Sequence, residues 1–335
     1  MEQRHLGTLT TSALGLGCMG LSQGYGPADD ERSVRVIRTA LDLGVRMLDT
    51  AMSYGQGHNE RLIARAIAGR RDEALLATKF GIVRGPDGVR VDARPERVRA
   101  DCEASLARLG TDVIDLYYLH RADPRVPIGE TVAAMAELVQ AGKVRHLGLS
   151  EVTADQLEQA AAVHPIAAVQ LEWSLLWRRP EADVVPAARR HGIGVVPYSP
   201  LGRGLLTGSL TEADIRLSDF RRADPRFQGG NLAANRRQVA ALRRFAEQRE
   251  ISPGRLALAW LLAQGSDVVP IPGTRSPDRL ADNAHSADIH LGPADLRELD
   301  ELLRADGWAG DRRSFAVPVT ARHAPAPARA TGSGE

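Results

Sequence analysis

Three apolar segments of the chain each end in a polar side chain with its own acid–base chemistry. "VRMLD" ends in the carboxylate of Asp49, "ALLATK" in the ammonium of Lys79, and "VIDLYYLH" in the imidazole of His120. The phenol of Tyr54 follows the first of these segments, in "DTAMSYG". Neighbouring parallel strands lie about 4.8 Å apart, so three such strands in one sheet would bring the four groups together.

These four groups suit the protonation of an oxygen atom. A free phenol has a pKa near ~10, and a neighbouring ammonium is expected to lower it. The carboxylate of Asp49 would keep the Lys79 ammonium charged and in place, and the His120 imidazole would orient a carbonyl oxygen. The set is suited to protonating that oxygen while hydride reaches its carbon. It is less suited to nucleophilic attack, because no activated serine or cysteine is in view.

A purely structural interpretation stays open for the same residues. Asp49 and Lys79 could form only a buried ion pair, and His120 could be a core histidine. Lysine usage bears on this choice, because Lys79 and Lys143 are the only lysines among 43 basic residues. Lysine is a compact charge whose pKa shifts readily, whereas arginine does not lose its proton. The lysine at position 79 therefore favours, modestly, a functional role.

Eight short apolar segments recur along the chain, with amphipathic segments between them. Most are nearly continuous apolar runs, as expected for strands that are covered on both faces. This alternation predicts an α/β fold of the (β/α)8 TIM-barrel type, with a doubly wound sheet as the second interpretation. In a barrel, catalytic groups lie at the C-terminal ends of the strands. The predicted strands are "ALGLG", "VRMLDT", "ALLATKF", "VIDLYYLH", "VRHLGLS", "AAVQLEW", "IGVVPYS" and "DVVPIPG".

The helices between these strands are predicted from start and stop signals. "DDERSVRVIRTALDLG" begins with acidic residues and ends at a glycine. "ARPERVRADCEASLARLG" has Pro95 near its start and Gly110 at its end. The other predicted helices span about 128–141, 153–163, 181–191, 235–250, 253–264 and 293–304.

One domain is predicted, residues 1–310, followed by a tail. Residues 201–234 form a long connection after the seventh strand, rich in glycine and arginine, and loops of this length are usually lids or binding loops. Residues 311–335 are rich in proline, alanine and glycine. This composition predicts a flexible, mostly disordered tail.

The stretch "ALGLGCMG" contains the pattern G-x-G-x-x-G from Gly15 to Gly20. A dinucleotide-binding loop of this form opens directly into a helix and is followed by an acidic residue about 20 positions later. Here "LSQGYGPADD" places more glycines and a proline before any helix, and Asp49 comes 29 residues after Gly20. The Rossmann interpretation is therefore disfavoured. We expect the glycines to let the first strand turn sharply at the barrel mouth.

The composition narrows the class of protein. A formal net charge of +1 over 335 residues gives no indication of nucleic-acid or membrane binding. Two cysteines, without metal or disulfide spacing, suit a reducing compartment. "MEQRHLGTLT" does not read as a signal peptide, and no apolar run is long enough to span a bilayer. We expect a soluble cytoplasmic protein without a metal site, and the oligomeric state stays open.

Six separated motifs resemble those of the aldo-keto reductases, in the same order: "LDTAMSYG", "ATKFG", "LYYLHR", "GKVRHLGLSE", "VPYSPLGRG" and "PIPGTRSPDRLADN". The resemblance covers about residues 5–305. It implies a (β/α)8 barrel that uses NADPH to reduce aldehydes and ketones, with no metal. It also implies that Tyr54 is the general acid, that Lys79 and Asp49 tune it, and that His120 orients the carbonyl.

The resemblance further implies which residues bind NADPH. Arginine forks suit a phosphate, so the segment "GTRSPDRLADN" implies a preference for NADPH over NADH. The implied residues are Ser150 and Gln170 at the nicotinamide carboxamide; Tyr198 stacked on the nicotinamide ring; Ser199, Leu201, Gly202 and Gly204 along the pyrophosphate; Thr274, Arg275 and Arg279 at the 2′-phosphate, beside Gly273; and Asn283 at the adenine.

Two positions depart from the family pattern. Glu151 stands where many members have an asparagine against the carboxamide, which puts that contact in question. Gly273 stands where several subfamilies have a lysine on the phosphate, and Arg275 is expected to compensate.

The substrate pocket is expected to be lined by apolar and aromatic residues near the barrel mouth. Trp173 falls where an aromatic residue often lines this pocket in the family, although it could equally pack under the barrel rim. Tyr25, Met52 and Phe80 are further candidates for the pocket wall. The substrate class stays open among simple aldehydes, sugar-derived ketones, pyridoxal and other ketones.

Three functions are compatible with such a barrel. The first is an NADPH-dependent carbonyl reductase acting on a small molecule. The second is a regulatory protein that binds the nicotinamide cofactor as a signal, similar to the potassium-channel beta subunits. The third is a hydrolase or isomerase without nicotinamide, which the paired phosphate and nicotinamide motifs disfavour. The complete set of four candidate residues favours the first.

Overall fold

The computed structural model describes residues 1–85, 88–215 and 219–312. These ranges contain eleven strands and ten α-helices. The strands are β1 (Gln3–Leu6), β2 (Leu9–Ser12), β3 (Gly15–Gly17), β4 (Met47–Asp49), β5 (Leu75–Phe80), β6 (Ile82–Gly85), β7 (Gly88–Val91), β8 (Ile114–Leu119), β9 (Val144–Ser150), β10 (Ile166–Glu172) and β11 (Gly194–Tyr198). The helices are α1 (Asp30–Asp42), α2 (His58–Ala66), α3 (Pro95–Leu109), α4 (Ile128–Gln140), α5 (Ala154–Ala161), α6 (Val184–Arg190), α7 (Gly229–Glu247), α8 (Pro253–Leu262), α9 (Pro277–Ala284) and α10 (Pro293–Leu302).

Seven of the strands form one parallel sheet in the order β3-β4-β5-β8-β9-β10-β11, with helices between successive strands. The segment 268–272 lies between the two outer strands of this sheet and nearly closes it into a barrel. The prediction of a (β/α)8 barrel is thus confirmed, and the doubly wound sheet was the wrong alternative. The closing hydrogen bonds run from Val269 N to Val195 O, Ile271 N to Pro197 O, Gly15 N to Pro270 O, and Gly17 N to Pro272 O.

The eighth strand position is irregular because of its two prolines. Pro270 and Pro272 have no N–H, so this segment accepts hydrogen bonds from β3 but donates none from these two positions. Besides the closing hydrogen bonds, the predicted strand "DVVPIPG" accordingly forms an isolated parallel bridge between Val195 and Val268 and not a regular strand.

The glycines of β3 let this segment come close. A Cβ atom on Gly15 would stand 2.9 Å from the side chain of Ile271, and one on Gly17 would stand 2.7 Å from the backbone oxygen of Ile271. Gly15 and Gly17 keep negative φ angles, so their role is close packing against Ile271 and not the sharp turn that we expected.

Side chains alternate along the barrel strands between two apolar cores. In β5, Leu75 and Ala77 point into the barrel interior, whereas Leu76 and Phe80 point outward to the helices. The inner core also holds Met47, Leu116, Tyr118, Ala168 and Val196 from neighbouring strands. The outer core packs the buried faces of the helices against the barrel.

The helix boundaries follow the local signals in the sequence. Asp29 caps α1, its side chain accepting a hydrogen bond of 2.6 Å from the backbone N–H of Arg32. Pro95 opens α3, and Gly110 ends it at φ 64°. These two helices confirm the predicted start and stop residues.

Two antiparallel hairpins were not predicted. β1 and β2 pair at the N-terminal end of the barrel, where Leu6 and Leu9 enter the inner core and close it from below. β6 and β7 pair directly after β5 at the opposite end. Both hairpins are short and partly exposed, so their apolar patterns are weak.

The connection after β11 is long, as predicted, and contains short 3₁₀ turns. Helix α7 begins at Gly229, earlier than the predicted start at 235. Buried ion pairs hold this connection together. They join Arg203 to Asp224 at 2.5 Å, Arg226 to Asp224 at 2.8 Å, and Arg221 to Asp219 at 2.6 Å.

The packed part of the chain extends two residues beyond the predicted boundary at 310. Asn235 of α7 exchanges two hydrogen bonds with the backbone of Ala309. The side chain of Arg312 is only 4 % exposed. Arg312 therefore belongs to the barrel and not to a flexible tail. The rest of the predicted tail, 313–335, lies outside the described residues.

Within the described ranges, no α-helix has both the length and the apolar character needed to cross a bilayer.

Candidate active site

The predicted strand-end residues lie on the inward-facing lines of the barrel. Asp49 continues the line of Met47 in β4, and Lys79 continues the line of Leu75 and Ala77 in β5. His120 follows β8 on the line of Leu116 and Tyr118. A cavity of about 1700 Å³ opens at these C-terminal strand ends, and Asp49, Tyr54 and His120 line it. The structure thus brings together the residues that the sequence predicted.

Asp49 and Lys79 form an ion pair beneath the cavity. Lys79 Nζ donates to Asp49 Oδ1 at 2.5 Å and to the backbone oxygen of Thr50 at 2.7 Å. The second carboxylate oxygen of Asp49 accepts a hydrogen bond of 2.7 Å from Gln170 Nε2. Burial opposes the charged form of Lys79, but the Asp49 carboxylate and Tyr54 raise its pKa above the usual value. Lys79 therefore stays charged at neutral pH.

Tyr54 lies beside this ammonium. Lys79 Nζ is 5.2 Å from the centre of the Tyr54 ring. Burial raises the pKa of the Tyr54 phenol and outweighs the opposing effect of Lys79. The expectation of a net lowered pKa is therefore wrong, because it left out the cost of removing a phenolate from water. Lys79 acts in the predicted direction, but more weakly than burial.

His120 packs edge-on against the same phenol. The ring centres of Tyr54 and His120 are 5.9 Å apart, and the ring planes are inclined by 83°. Burial, Arg121 and Lys79 all lower the pKa of His120 well below its usual value. The imidazole is therefore neutral at neutral pH, and it can donate one hydrogen bond and accept another.

The loop that carries Tyr54 is held by buried hydrogen bonds. Thr50 Oγ1 donates to Asn59 Oδ1 at 2.6 Å, and Asn59 Nδ2 donates to the backbone oxygen of Cys18 at 2.9 Å and to Ser22 Oγ at 2.7 Å. These contacts fasten the start of α2 to the β3 loop. Sequence reasoning missed Asn59, whose fully buried amide is the relevant feature.

Most of the residues implied for the cofactor lie around the same cavity. Gly202 is the exception, since it is buried in the 3₁₀ turn that follows Leu201. The residues that line the cavity are Ser150, Gln170, Tyr198, Ser199, Leu201, Gly204, Gly273, Thr274, Arg275, Arg279 and Asn283.

Three of these residues come from the neighbouring strands β9, β10 and β11. Ser150 ends β9, Gln170 lies in β10, and Tyr198 ends β11. Ser150 Oγ accepts a hydrogen bond of 3.1 Å from Arg121 Nη1. Because Gln170 also binds Asp49, it links this part of the cavity to the Lys79 ion pair.

Glu151 makes contacts that the sequence did not predict. Its carboxylate accepts two hydrogen bonds from Arg312, at 2.6 and 2.8 Å, and one of 2.9 Å from Tyr198 Oη. The Arg312 guanidinium also lies 4.9 Å from the ring centre of Trp177. Burial opposes ionisation, but Arg312 lowers the pKa of Glu151 below its usual value. This pair fixes the hydroxyl end of Tyr198.

The opposite end of the cavity is lined by hydroxyl groups and arginines around the start of α9. Ser276 caps this helix, and its backbone N–H donates to Thr274 Oγ1 at 3.1 Å. Arg275 donates to the backbone oxygen of Pro27 at 2.8 Å. Arg279 is exposed in the first turn of α9, and Asn283 is buried one turn further along. Such an arrangement can bind a phosphate.

The four candidates for the substrate pocket separate into two pairs. Tyr25 and Met52 line the cavity. Phe80 stacks on Tyr117 with ring centres 5.0 Å apart, in the outer core. Trp173 is 1 % exposed and packs edge-on against a helix tryptophan, also in the outer core. Phe80 and Trp173 are therefore corrected to core residues.

Part of the long connection after β11 meets the loop after β3. The backbone N–H of Phe220 donates to the backbone oxygen of Gly24 at 3.0 Å, and Tyr25 pairs with Asp219 in an antiparallel bridge. The rings of Tyr25 and Phe220 pack edge to face at 5.0 Å. These contacts join the two loops at the cavity wall, since all four residues line the cavity.

Among the residues with described positions, no group of three or more His, Cys, Asp or Glu side chains is arranged to hold a metal ion.

Comparison with known proteins places this barrel in a family. The family model for the aldo/keto reductases matches residues 13–304. A probable aldo-keto reductase 1 of Glycine max is 43 % identical over 304 residues, which span 90 % of this chain and 88 % of the relative. The NADP(+) aldo-keto reductase yakc of Schizosaccharomyces pombe is 42 % identical over 306 residues, 89 % of this chain and 90 % of the relative.

Solved structures agree with these sequence matches. A glycerol dehydrogenase of Gluconobacter oxydans superimposes with a TM-score of 0.83 at 32 % identity, covering 90 % of this chain and 94 % of that chain. An aldo/keto reductase of Klebsiella pneumoniae, solved in complex with NADP and acetate, gives a TM-score of 0.70 at 27 % identity, covering 96 % and 100 %. The resemblance predicted from six motifs is confirmed: this chain belongs to the aldo/keto reductase family, whose members reduce carbonyl compounds with NADP(H).

Proposed function

We propose that this protein reduces an aldehyde or a ketone to an alcohol with NADPH, and that Tyr54 is the general acid. The observation that carries the proposal is the position of the Tyr54 phenol at the cavity wall. The centre of the Tyr54 ring lies 5.2 Å from the Lys79 ammonium nitrogen and 5.9 Å from the centre of the His120 ring.

The raised pKa of Tyr54 is compatible with this role. A general acid must hold its proton until charge develops on the substrate oxygen. Burial keeps the Tyr54 phenol protonated at neutral pH, and the nearby Lys79 ammonium stabilises the phenolate that remains after transfer. An alkoxide is a stronger base than a phenolate, so the proton moves from Tyr54 to the alkoxide oxygen, which gives the alcohol and leaves a phenolate.

His120 and the ion pair prepare the site for this transfer. The neutral His120 imidazole can donate a hydrogen bond to the carbonyl oxygen and keep its proton. Asp49 holds the Lys79 ammonium in one position, so the field on the phenol is fixed before substrate binds. The second contact of Asp49, with Gln170, extends this fixed arrangement towards Ser150 and Tyr198.

The chemistry of the cavity walls fits NADPH. The bound cofactor supplies the hydride that reaches the carbonyl carbon. Ser150, Gln170 and Tyr198 would bind its nicotinamide end, because they offer uncharged donors and an aromatic ring close to Tyr54. At the other end, the hydroxyl of Thr274 and the exposed fork of Arg279 suit a phosphate.

The remaining implied residues would follow the cofactor between these two ends. They are Ser199, Leu201, Gly202 and Gly204 along the pyrophosphate, and Gly273, Arg275 and Asn283 around the adenosine. The naming of NADP(+) for the Schizosaccharomyces pombe relative, and of NADP in the Klebsiella pneumoniae structure, supports this cofactor for the present chain.

The test is the Tyr54→Phe variant. NADPH oxidation with a panel of aldehydes and ketones should be abolished, because the phenol supplies the proton, while NADPH affinity measured by fluorescence quenching should change little. Tyr117→Phe is the matched control, since it removes a buried hydroxyl that has no partner in the described structure and lies in the outer core. Comparable steady-state rates for Tyr54→Phe and the parent would refute the role of Tyr54.

A further inference from the structure

Arg121 places a positive charge at the wall of the cavity, directly after His120. Its side chain is half-buried, and it lines the same cavity as Tyr54 and His120. An arginine guanidinium carries a permanent positive charge in proteins. The charge is therefore a permanent feature of the place where a carbonyl group would bind.

Arg121 uses only some of its hydrogen-bond donors. Nη1 donates to the backbone oxygen of His120 at 2.6 Å and to Ser150 Oγ at 3.1 Å. Nε is buried and has no partner, and Nη2 makes no hydrogen bond to the described residues. Three of the five N–H groups of the guanidinium are thus unused by the described protein.

The neighbouring charges are already compensated. Lys79 is paired with Asp49 at 2.5 Å, and Arg312 with Glu151 at 2.6 Å. Burial, Arg121 and Lys79 hold the pKa of His120 well below its usual value, so the imidazole adds no positive charge at neutral pH. No carboxylate among the described residues forms an ion pair with Arg121 within 4.0 Å. One uncompensated positive charge therefore remains beside the His120 ring.

We propose that Arg121 binds a carboxylate carried by the carbonyl substrate, so that the enzyme prefers oxo acids to uncharged carbonyl compounds. This inference rests on the proposed function. A carboxylate would accept hydrogen bonds from the two unused N–H groups on Nη2 of Arg121, and such charge-assisted contacts are roughly twice as strong as neutral ones. A neutral substrate would leave the charge uncompensated in a partly buried site.

The competing assignment is a contact between Arg121 and the nicotinamide carboxamide. Ser150, to which Arg121 donates, is a residue that we propose for that carboxamide. The two assignments differ in what they change. A cofactor contact would weaken NADPH binding and all reductions equally, whereas a substrate contact would affect only acidic substrates.

The experiment compares aldehydes that differ only in charge. Oxoacetate, 4-oxobutanoate and 5-oxopentanoate are each tested against their methyl esters, with NADPH oxidation as the readout. For the wild type, kcat/KM should be higher for at least one acid than for its ester. Arg121→Gln should lose about 10- to 100-fold in kcat/KM for that acid and change the ester only a few-fold.

Two further variants separate charge from folding. Arg121→Lys keeps the charge and should restore part of the preference, although it loses the fork geometry. Arg99→Gln removes a charge from the exposed face of α3, where the side chain is 71 % exposed, and should leave the acid-to-ester ratio unchanged.

The outcomes distinguish this inference from the proposed function. Reduction of the esters without any preference for an acid would overturn the role of Arg121 and leave the proposed reductase intact. Equal losses on acid and ester with weaker NADPH quenching in Arg121→Gln would show the cofactor contact instead, and would also overturn the inference. Failure to oxidise NADPH with any carbonyl compound would overturn both.

Discussion

At the residue scale, the buried pair of Asp49 and Lys79 has two roles, one in the stability of the fold and one in the charge beside Tyr54, and mutations can separate them. Both side chains are almost fully buried, at 2 % and 0 % exposure, so each charge depends on the other for stability. The same ammonium is the group next to the Tyr54 phenol. A loss of activity after mutation could therefore reflect either unfolding or the missing charge.

Lys79→Met should destabilise the protein by about 3–5 kcal/mol, because it leaves the Asp49 carboxylate buried without its partner. It should also abolish carbonyl reduction. The double variant Asp49→Asn with Lys79→Met should recover most of the free energy of unfolding, measured by urea denaturation, but none of the activity.

Lys143→Met is the matched control, since Lys143 is the only other lysine and forms an exposed ion pair with Glu103. Lys143→Met should lower the free energy of unfolding by no more than about 1 kcal/mol. Recovery of activity in the double variant would show that the ammonium is structural and does not act on Tyr54.

Arg279 is predicted to distinguish NADPH from NADH. Arg279→Ala should weaken the binding of NADPH by about 10-fold, because the contact of an exposed arginine with the 2′-phosphate is lost. The affinity for NADH should stay nearly unchanged. Fluorescence quenching by each cofactor measures the two affinities. An equal loss of affinity for both cofactors would show that Arg279 does not contact the 2′-phosphate.

The positions of the polar residues at the strand ends were predictable because they follow the alternation of the strands. Lys79 lies on the inward line of β5, so Phe80, the next residue, must point outward. Trp173 likewise continues the outward line of Val169 and Leu171 in β10. The same alternation would have excluded both from the pocket, whereas the sequence offers no comparable signal for the burial that raises the pKa of Tyr54.

At the element scale, closure of the barrel depends on the contact between β3 and the segment 268–272. Gly17 and Ile271 meet backbone to backbone, and a backbone oxygen cannot move aside as the end of a flexible side chain can. The prolines in this segment reduce its hydrogen bonding to β3, so packing must hold the two together.

Gly17→Ala should therefore cost about 1–3 kcal/mol of the free energy of unfolding, since its Cβ would stand 2.7 Å from Ile271 O. Gly230→Ala is the control, because a Cβ there meets open space within helix α7 and alanine favours the helix. Urea denaturation of both variants measures the difference. A cost for Gly17→Ala no larger than that for Gly230→Ala would contradict close packing as the reason for this glycine.

The strands and helices of the barrel were predictable because each carries a local pattern, either a continuous apolar run or a capping residue. The hairpins were not. β1 and β2 have four residues each, and Leu6 of β1 packs into the barrel next to Gly194, far away in sequence. A pattern read within one segment does not contain such a contact.

At the scale of the whole molecule, buried charges join parts of the chain that are distant in sequence. Glu172 at the end of β10 accepts a hydrogen bond from Arg226 in the long connection, and it lies 3.8 Å from Arg312. Arg226 also binds Asp224, which in turn binds Arg203. This network could not be predicted from the sequence, because the chain has 41 arginines and the residue type alone does not distinguish a buried guanidinium from an exposed one.

Because of this network, the free energy of unfolding should depend on pH in the acid range, through the ionisation of Glu172. Burial opposes its ionisation, but Arg226, Arg203 and Arg312 lower the pKa of Glu172 from 4.5 to about 2. In the unfolded chain the carboxylate binds its proton at a higher pH, so its contribution is fully present above pH ~4.5 and is lost as the pH falls towards ~2. A shift of this size corresponds to roughly 3 kcal/mol.

Glu172→Gln should consequently be less stable than the parent by up to about 3 kcal/mol at pH 7, and the difference should shrink between pH ~4.5 and ~2, because a protonated glutamate resembles glutamine. Urea denaturation at several pH values measures it. Glu158→Gln, which removes one partner of an exposed ion pair with Arg190, should differ little from the parent at any pH. A difference for Glu172→Gln that stays constant down to pH 2.5 would mean that lost packing, and not the ionised carboxylate among three arginines, explains the destabilisation.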